Sequence, residues 1–281
     1  MNREIKLNYR TTFDFSPFLK ESLAQPWKHK TIQDFCSWFI GFSEGDGCFT
    51  KSRRGTDFYF IVSQGNADVA LLEYIKTVLG CGNVYKQSPR VSRFMVQDKK
   101  SLLLLISLFN GNLVLPRRKK QFVVWLQALC NHFSEQIEPI ESEILPSLND
   151  GWISGFTDAE GCFTASFLSN STAFRLRYIL SQKGSENLPV LSHLILLFRG
   201  GALEAHSVYG VYSYVLSGVK KSYNVFQYFT KFSLLSKKRC SFALWQSVQR
   251  DVYQKLHLEA EGRISLIERA KRINSIKRKS R

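Results

Sequence analysis

"GFSEGDGCFT", residues 41–50, returns with few changes as "GFTDAEGCFT", residues 155–164. Both copies place an acidic residue, Asp46 in the first and Glu160 in the second, directly before Gly-Cys-Phe-Thr. A phrase that recurs at the spacing of a whole domain indicates an internally duplicated chain.

The repeat extends well beyond these ten residues. "VSQ" at 62–64 stands opposite "LSQ" at 180–182, and "LPRRKKQFVVW", ending at Trp125, stands opposite "LSKKRCSFALW", ending at Trp245. The two motif acids are 114 residues apart and the two tryptophans 120, so the second copy is six residues longer. Four of these residues fall before Gln182, and we expect such insertions in hairpin loops, which tolerate them at small entropic cost.

The repeat predicts the domain organisation. We expect two similar halves, residues 31–133 and 151–250, joined by a linker at 134–150 whose acids, prolines and serines are typical of a surface crossing. Residues 1–30 are expected to form an N-terminal extension. Residues 251–281 are expected to form a basic C-terminal helix and tail.

Composition limits the class of protein and its partners. The 281 residues are 44% hydrophobic and 14% aromatic, which is enough to build two packed cores. Lysines and arginines exceed acids by 16, and an excess of this size attracts a polyanion, either nucleic acid or an anionic membrane. A membrane partner is not expected, because the longest apolar stretch, Leu102–Phe109, is far shorter than the roughly 20 residues of a spanning helix.

Each motif reads as a helix with a marked start and end. Thr31 with Asp34 resembles a capping box, and Asn149 or Asp150 can cap the second copy. Residues 35–47 are apolar nearly all round, which predicts a helix buried on most sides.

Small residues lie four positions apart on one face of each motif helix: Gly41 and Gly45 in the first, Gly155 and Ala159 in the second. This spacing would let two backbones approach closely. If the two helices pack about a pseudo-two-fold axis, the acids at their ends are expected to meet there.

Alternating segments follow each motif. Residues 162–170, "CFTASFLSN", alternate between two faces, and residues 174–182 do the same, as half-buried strands do. Each half reads as helix, two strands, helix, two strands and helix, with a further helix near its tryptophan. We predict that one face of each sheet is polar, with outward positions Thr50, Ser52, Arg54, Tyr59 and Ser63 in the first half and Thr164, Ser166, Leu168, Asn170, Arg175, Arg177 and Ser181 in the second.

"FIGFSEGDG" and "ISGFTDAEG", each followed by a phenylalanine-containing strand, resemble the motifs of the LAGLIDADG homing endonucleases in their single-chain, two-motif form. The resemblance spans roughly residues 31–250. It implies an α+β fold of two pseudo-symmetric αββαββα halves whose antiparallel sheets form a saddle over double-stranded DNA. It also implies a monomer that cuts both strands across the minor groove and leaves short 3′ overhangs.

The chemistry of such a reaction suits the repeated acids. Hydrolysis of a phosphodiester calls for divalent metals that activate water, and hard cations such as Mg²⁺ prefer carboxylate oxygens. By motif position the resemblance implies metal binding at Asp46 and Glu160, together with the residues before them, Gly45 and Ala159. It implies Mg²⁺, with Mn²⁺ as a substitute and Ca²⁺ binding without supporting cleavage. Glu44 and Asp158 do not match the ligand position and are expected to lie away from the metals.

The family also carries a lysine in each half, seven residues before an aromatic. In the second half this position is Lys238, but in the first it is Arg118, followed by Lys119. Because an arginine does not readily give up a proton, the departure predicts either unequal cutting of the two strands or a shifted lysine role. The outward strand positions are the predicted DNA contacts, with Arg175 and Arg177 candidates for guanine.

Two other functions stay open from sequence. An RNA maturase on the same fold would bind its host intron RNA without needing metal-binding acids. A DNA-binding regulator would not cleave, and it would carry a separate helix-turn-helix domain. Retention of both motif acids favours the nuclease. The resemblance implies an organelle location, either mitochondrion or chloroplast.

Overall fold

The structure is a computed structural model and describes residues 9–22, 29–168 and 171–273. The chain divides into two compact units, the first ending at Phe156 and the second beginning at Thr157. Among the described residues, no helix combines the length and the apolar character needed to cross a membrane.

The first unit contains a four-stranded sheet and the helices around it. The elements, in chain order, are β1 (Tyr9–Arg10), α1 (Ser16–Glu21), α2 (His29–Asp46), β2 (Gly47–Lys51), β3 (Phe58–Gly65), α3 (Val69–Leu79), β4 (Asn83–Ser88), β5 (Val91–Val96), α4 (Lys99–Phe109), α5 (Pro116–Phe133), β6 (Glu141–Ser142) and α6 (Trp152–Glu160), the last of which continues into the second unit. The antiparallel sheet has the strand order β2-β3-β5-β4.

Alternation along the central strands builds the core of this unit. Phe60 and Val62 of β3 and Phe94 and Val96 of β5 are fully buried on one face of the sheet. Helix α2 packs against that face, with the rings of Phe39 and Phe60 5.9 Å apart. The apolar sequence of α2 predicted this burial, because a helix that is apolar all round has no face suited to water.

Glycines allow α2 and the start of α6 to touch through their backbones. A Cβ atom placed on Gly41 would lie 2.1 Å from the carbonyl oxygen of Trp152, and one placed on Gly155 would lie 1.8 Å from that of Trp38. Real atoms cannot approach so closely, so only glycine fits at these two positions. The close approach predicted from the small residues is confirmed at Gly41 and Gly155.

The predicted start is confirmed for one motif helix and is wrong for the other. The backbone N–H of Trp152 donates to Oδ1 of Asp150 at 3.0 Å, which confirms the cap on α6. The predicted start at Thr31 is wrong, because α2 already begins at His29 and Thr31 lies inside it. A threonine inside a helix costs only a few tenths of a kcal/mol relative to better helix formers, too little to stop the helix at a local capping sequence.

Part of the N-terminal extension is bound to the linker. Strand β1 pairs in parallel with β6, and the side chain of Asn112, which is fully buried, accepts from the N–H of Asp14 and donates to its carbonyl, both at 2.8 Å. Phe18 of α1 is 1% exposed. Residues 9–22 are therefore a folded part of the first unit.

The second unit repeats the architecture. Its further elements are β7 (Gly161–Phe167), β8 (Phe174–Lys183), α7 (Leu188–Leu197), β9 (Ala202–Ala205), β10 (Val211–Ser217), α8 (Tyr223–Lys231), α9 (Lys238–Tyr253) and α10 (Ala260–Arg272). The antiparallel strand order β7-β8-β10-β9 matches that of the first sheet. The predicted α+β fold with two antiparallel four-stranded sheets is confirmed. The indole N–H groups of Trp125 and Trp245 donate to equivalent carbonyls, those of Thr50 and Thr164.

The four-residue insertion lies in strands and not, as predicted, in a loop. Six residues join the paired strands in both halves, but β7 has seven residues where β2 has five. The first hairpin ends at the pair Lys51 and Phe58, and the second continues through two more pairs to Phe167 and Phe174. The added residues form strand because they continue the period-two alternation, which lets them pair across the hairpin.

Candidate active site

The two motif acids are the last residues of their helices. Asp46 ends α2 and Glu160 ends α6, and the next residue of the chain begins a strand in each case. Both side chains are partly exposed. The amide Nε2 of Gln64, on β3, donates to Oδ2 of Asp46 at 2.5 Å. In the first half, the helix end and the adjacent strand thus fix the direction of the carboxylate.

Gln64 is a site residue that the sequence pattern did not predict. Its signal in the sequence is the glutamine that "VSQ" and "LSQ" share in the aligned repeat, Gln64 in the first half and Gln182 in the second. In the second half the carbonyl Oε1 of Gln182 accepts from the N–H of Lys183 at 2.9 Å.

Glu44 and Asp158, the acids two residues before the motif acids, are buried. They accept hydrogen bonds from the chain just before helices α5 and α9, respectively. Oε1 of Glu44 accepts from the N–H groups of Val114 and Leu115 at 2.8 and 2.6 Å, directly before α5. Asp158 accepts from the N–H groups of Leu235 and Ser236 at 2.8 and 3.0 Å, just before α9. Glu44 is fully buried and Asp158 is 3% exposed. Both acids therefore stabilise the fold by binding backbone N–H groups of distant segments.

The basic residues that follow contact the ends of the motif helices. Arg118 Nε donates to the carbonyl of Glu44 at 2.6 Å and Nη2 to that of Gly45 at 2.8 Å. Lys238 Nζ donates to the carbonyls of Thr157 and Ala159, at 3.1 and 2.7 Å. Positive groups at these positions satisfy carbonyls that a helix leaves unpaired at its C-terminus and offset its partial negative charge. Each cation therefore lies beside the residue that precedes a motif acid.

Lys119 lies apart from these contacts. Its Nζ donates to the carbonyl of Ser142 at 2.5 Å. Burial lowers the pKa of Lys119, while the carboxylates of Glu44 and Glu143 act in the opposite direction. Lys119 joins α5 to the linker, whereas Arg118 occupies the place that corresponds to Lys238.

The donor set suits a hard cation that completes its coordination with substrate. No group of three or more histidine, cysteine or acidic side chains arranged to hold a metal occurs in the described parts of the chain. Mg²⁺ commonly uses one or two carboxylates and takes its other oxygens from water and phosphate. A single partly exposed carboxylate at each motif-helix end fits this pattern better than it fits a closed protein cage.

Burial makes Glu44 a source of pH-dependent stability. Desolvation raises the pKa of Glu44 to about 7 from a usual 4.5, although its hydrogen bonds to Leu115, Trp152 and Val114 oppose the shift. The folded protein therefore binds this proton more tightly than the unfolded chain does. As pH rises from below 4.5 to above 7, Glu44 is expected to lower the free energy of unfolding by about 3 kcal/mol.

We expect Glu44→Gln to remove this contribution to the pH dependence. Urea unfolding at pH 4.5 and pH 8 gives the slope of the free energy of unfolding against pH. The difference in this slope between the parent and the variant measures the contribution of Glu44. Glu73→Gln, at an exposed position on α3, is the matched control and should keep the parent slope. An unchanged slope in Glu44→Gln would show that the carboxyl does not change protonation in this range.

The predicted outward positions of the first half divide between strand and turn. Thr50, Tyr59 and Ser63 lie on strands, as predicted. Ser52 and Arg54 do not, because β2 ends at Lys51. Gly55, with φ of +77°, donates its N–H to the carbonyl of Ser52 and turns the chain there.

In the second half the predicted positions lie on or beside the longer hairpin. Those on strands are Thr164, Ser166, Arg175, Arg177 and Ser181. Arg177 forms a 3.9 Å ion pair with Glu204, and the hydroxyls of Ser181 and Ser213 are 2.8 Å apart. Leu168 lies just past the end of β7, and Asn170 lies outside the described residues.

Both halves of the chain match known proteins. A family model described as "LAGLIDADG endonuclease" matches residues 39–129 and 153–249. The chain is 38% identical, over 84% of its length, to a Neurospora crassa protein named "Probable intron-encoded endonuclease 4", and spans 44% of that relative. An uncharacterised cox1 intron-2 protein of Schizosaccharomyces pombe is 24% identical over 86% of this chain and 74% of its own.

Solved structures match the same architecture. The crystal structure of the LAGLIDADG meganuclease I-AabMI, bound to uncleaved DNA, superposes with a TM-score of 0.71 at 23% identity. The match covers 84% of this chain and 98% of that one. At this identity the likeness concerns the fold.

Proposed function

This chain belongs to the LAGLIDADG endonuclease family, and from that premise we propose that it is a site-specific endonuclease that cuts both strands of one long, asymmetric DNA target. The cut crosses the minor groove and leaves short 3′ overhangs. The enzyme works as a monomer whose two halves, residues 31–133 and 151–250, are joined by the linker at 134–150.

One observation carries the proposal: in each half, an acid ends the motif helix and a cation binds the carbonyl just before it. Asp46 has Arg118 on the carbonyl of Gly45, and Glu160 has Lys238 on the carbonyl of Ala159. The same pairing of carboxylate and cation twice in one chain suits a reaction performed twice, once on each DNA strand.

Asp46 and Glu160 are the proposed ligands for divalent metal, with Gly45 and Ala159 beside them. Mg²⁺ is the proposed cofactor, with Mn²⁺ a substitute and Ca²⁺ supporting binding but not cleavage. A divalent ion held there supplies an activated water and neutralises charge on the leaving oxygen. Gln64 orients the Asp46 carboxylate, and the buried Glu44 and Asp158 fix the helices that carry the cations.

The cations are proposed to stabilise phosphate charge as each strand is cut, and their difference predicts different strand rates. In general a lysine ammonium gives up a proton far more readily than an arginine guanidinium, so the two halves are proposed to differ in proton transfer. We expect Lys238→Ala to slow one strand by about 100-fold, a usual scale for loss of a group that helps proton transfer. A nicking assay with separately labelled strands follows both cuts in one reaction.

The neighbouring Arg239→Ala, at an exposed position on α9, is the control for loss of charge. It should leave both strand rates within about twofold, since an exposed charge acts mainly on affinity. Equal strand rates in the parent, unaffected by Arg118→Ala, would contradict the proposed asymmetry.

DNA recognition is assigned to the outward sheet positions named above. Arg175 and Arg177 are proposed to read guanines in the major groove, because an arginine fork matches O6 and N7. Thr50, Tyr59, Ser63, Thr164 and Ser166 supply adaptable polar contacts. The intron-encoded relatives make a mitochondrion the proposed location, and host intron RNA a proposed second partner.

A cleavage selection tests the function. The purified protein is offered randomised duplex DNA with Mg²⁺, with Ca²⁺ or with EDTA, and cut molecules are sequenced. Recovery of one long asymmetric site, cut only with Mg²⁺, is the expected result. Binding enrichment without any cut would overturn the nuclease, and intron RNA binding that survives loss of both motif acids would then support a maturase.

A further inference from the structure

The hairpin of the second half reaches further than that of the first. Its extra pairs, Ser166 with Arg175 and Phe167 with Phe174, extend β7 and β8 by two residues each. At about 3.4 Å per residue, this adds roughly 7 Å, on the order of two base pairs along DNA. A two-stranded ribbon of this kind is marginally stable unless something packs against it.

The C-terminal helix α10 contacts this added end. Arg263 Nη2 donates to the carbonyls of Leu168 and Ser171, both in the segment that joins β7 and β8. The Arg263 guanidinium also lies 5.8 Å from the ring of Phe167. On β8, the ring of Phe174 is contacted edge to face by His257, with the two ring centroids 5.0 Å apart. Both residues of the extra pair, Phe167 and Phe174, are therefore in contact with side chains from the C-terminal part of the chain.

Helix α10 is also attached to helix α9. Leu266 is fully buried, and Arg269 forms an ion pair with Asp251 of α9. Helix α9 in turn bonds to the middle of β7 through Trp245 and Thr164. Arg263 thus joins the hairpin end to a helix that is anchored in the second unit.

The shorter hairpin of the first half closes by its own turn. Ser52 donates its N–H to the carbonyl of Asp57 at 2.8 Å, and the Ser52 hydroxyl accepts from the N–H of Asp57 at 3.1 Å. The helix that holds the longer hairpin lies beyond residue 249, where the match to the family model ends. The longer hairpin and the helix that contacts it are therefore two features of this chain that act together.

We propose that Arg263 is a positioning residue that sets the DNA specificity of the second half by holding the outer end of the β7 and β8 hairpin. Ser166 and Arg175, both exposed, occupy the first of the extra pairs and are the side chains whose placement depends on it. This inference rests on the proposed DNA-cleaving function. Arg263 acts through these side chains and touches no reacting group.

The chemistry of arginine suits this role. The two N–H groups of Nη2 lie in the rigid plane of the guanidinium, so this one nitrogen can bond two carbonyls while the face of the group lies against an aromatic ring. A lysine ammonium is a compact charge without that planar face. Loss of these contacts would let the hairpin end sample several positions, and a base contact discriminates only when its side chain is held in place.

The experiment compares the parent, Arg263→Ala and Arg263→Lys on the recovered target and on all its single-base variants. In Arg263→Ala we expect discrimination at the base pairs read by Ser166 and Arg175 to fall about tenfold, with kcat on the parent target within about twofold. Arg263→Lys should be intermediate. Lys271→Ala, an exposed position on the same helix, is the charge control and should keep the parent profile.

Hydrogen exchange of the free protein separates this inference from the proposed function. In Arg263→Ala, amides at 164–168 and 173–177 should exchange at least about tenfold faster than in the parent, while those of β2 and β3 stay unchanged. If the parent does not cleave DNA, the proposed function fails and exchange still tests the contact. An active parent with an unchanged Arg263→Ala profile, or unchanged hairpin exchange, overturns the inference.

Discussion

Asp46→Asn and Glu160→Gln are each expected to lower the rate of double-strand cleavage by about 1,000-fold or more, while target binding in Ca²⁺ stays within a few-fold. Both substitutions keep the size of the side chain and remove the negative charge that a hard cation requires. Removal of one charge-stabilising group from an active site commonly costs about 100- to 1,000-fold, and loss of a metal ligand belongs at the upper end or above it.

Single-turnover assays with labelled strands measure both rates, and gel shifts in Ca²⁺ measure binding. Glu138→Gln, an exposed acid in the linker, is the control and should keep parent activity. If the variants lose binding and cleavage together, the acids support the fold or the DNA interface. If either variant cuts both strands at the parent rate, that acid is not a metal ligand.

Gly155→Ala is expected to reduce the free energy of unfolding by at least ~4 kcal/mol, at the severe end for one methyl group. The added Cβ would lie 1.8 Å from the carbonyl oxygen of Trp38 and 2.8 Å from the backbone nitrogen of Phe42. Both atoms belong to the backbone of α2, so no side-chain rotation relieves the overlap. Gly41→Ala should behave alike, because its Cβ would lie 2.1 Å from the carbonyl oxygen of Trp152.

Urea unfolding measures both variants. The control is Gly210→Ala, where φ is +72° and an added Cβ has nothing within 4 Å. It carries only the cost of an alanine in a left-handed conformation, about 1 kcal/mol. A Gly155→Ala protein no less stable than Gly210→Ala would mean that the two helices can separate at little cost.

The sequence predicted the residues at the motif-helix ends because their signals are local. A buried helix, an acid and a glycine-led turn to strand occupy one continuous stretch of chain, and the second copy repeats the pattern. The function of Glu44 and Asp158 was not predictable in this way. Periodicity marks a buried helix, but it does not show that backbone N–H groups about 70 residues later would come to these carboxylates.

The insertion shows the same limit. Its length and approximate place were read from the aligned repeats, but a loop was predicted where the chain extends two strands. A four-residue difference between Glu160 and Gln182 is the same whether the added residues form a loop or paired strand. Gln64 likewise recurs as Gln182 in the aligned repeats, but only the fold brings its amide to Asp46.

By itself, the sequence determined the duplication, the order of helices and strands, and the place of one acid at the end of each motif helix. These follow from hydrophobic periodicity, glycine conformation and spacing, which act over a few residues. Tertiary structure alone decided which groups hold each carboxylate, where the insertion went, and that Arg263 meets carbonyls 92 and 95 residues away. Such contacts depend on how separate elements pack, and no local pattern in the chain encodes them.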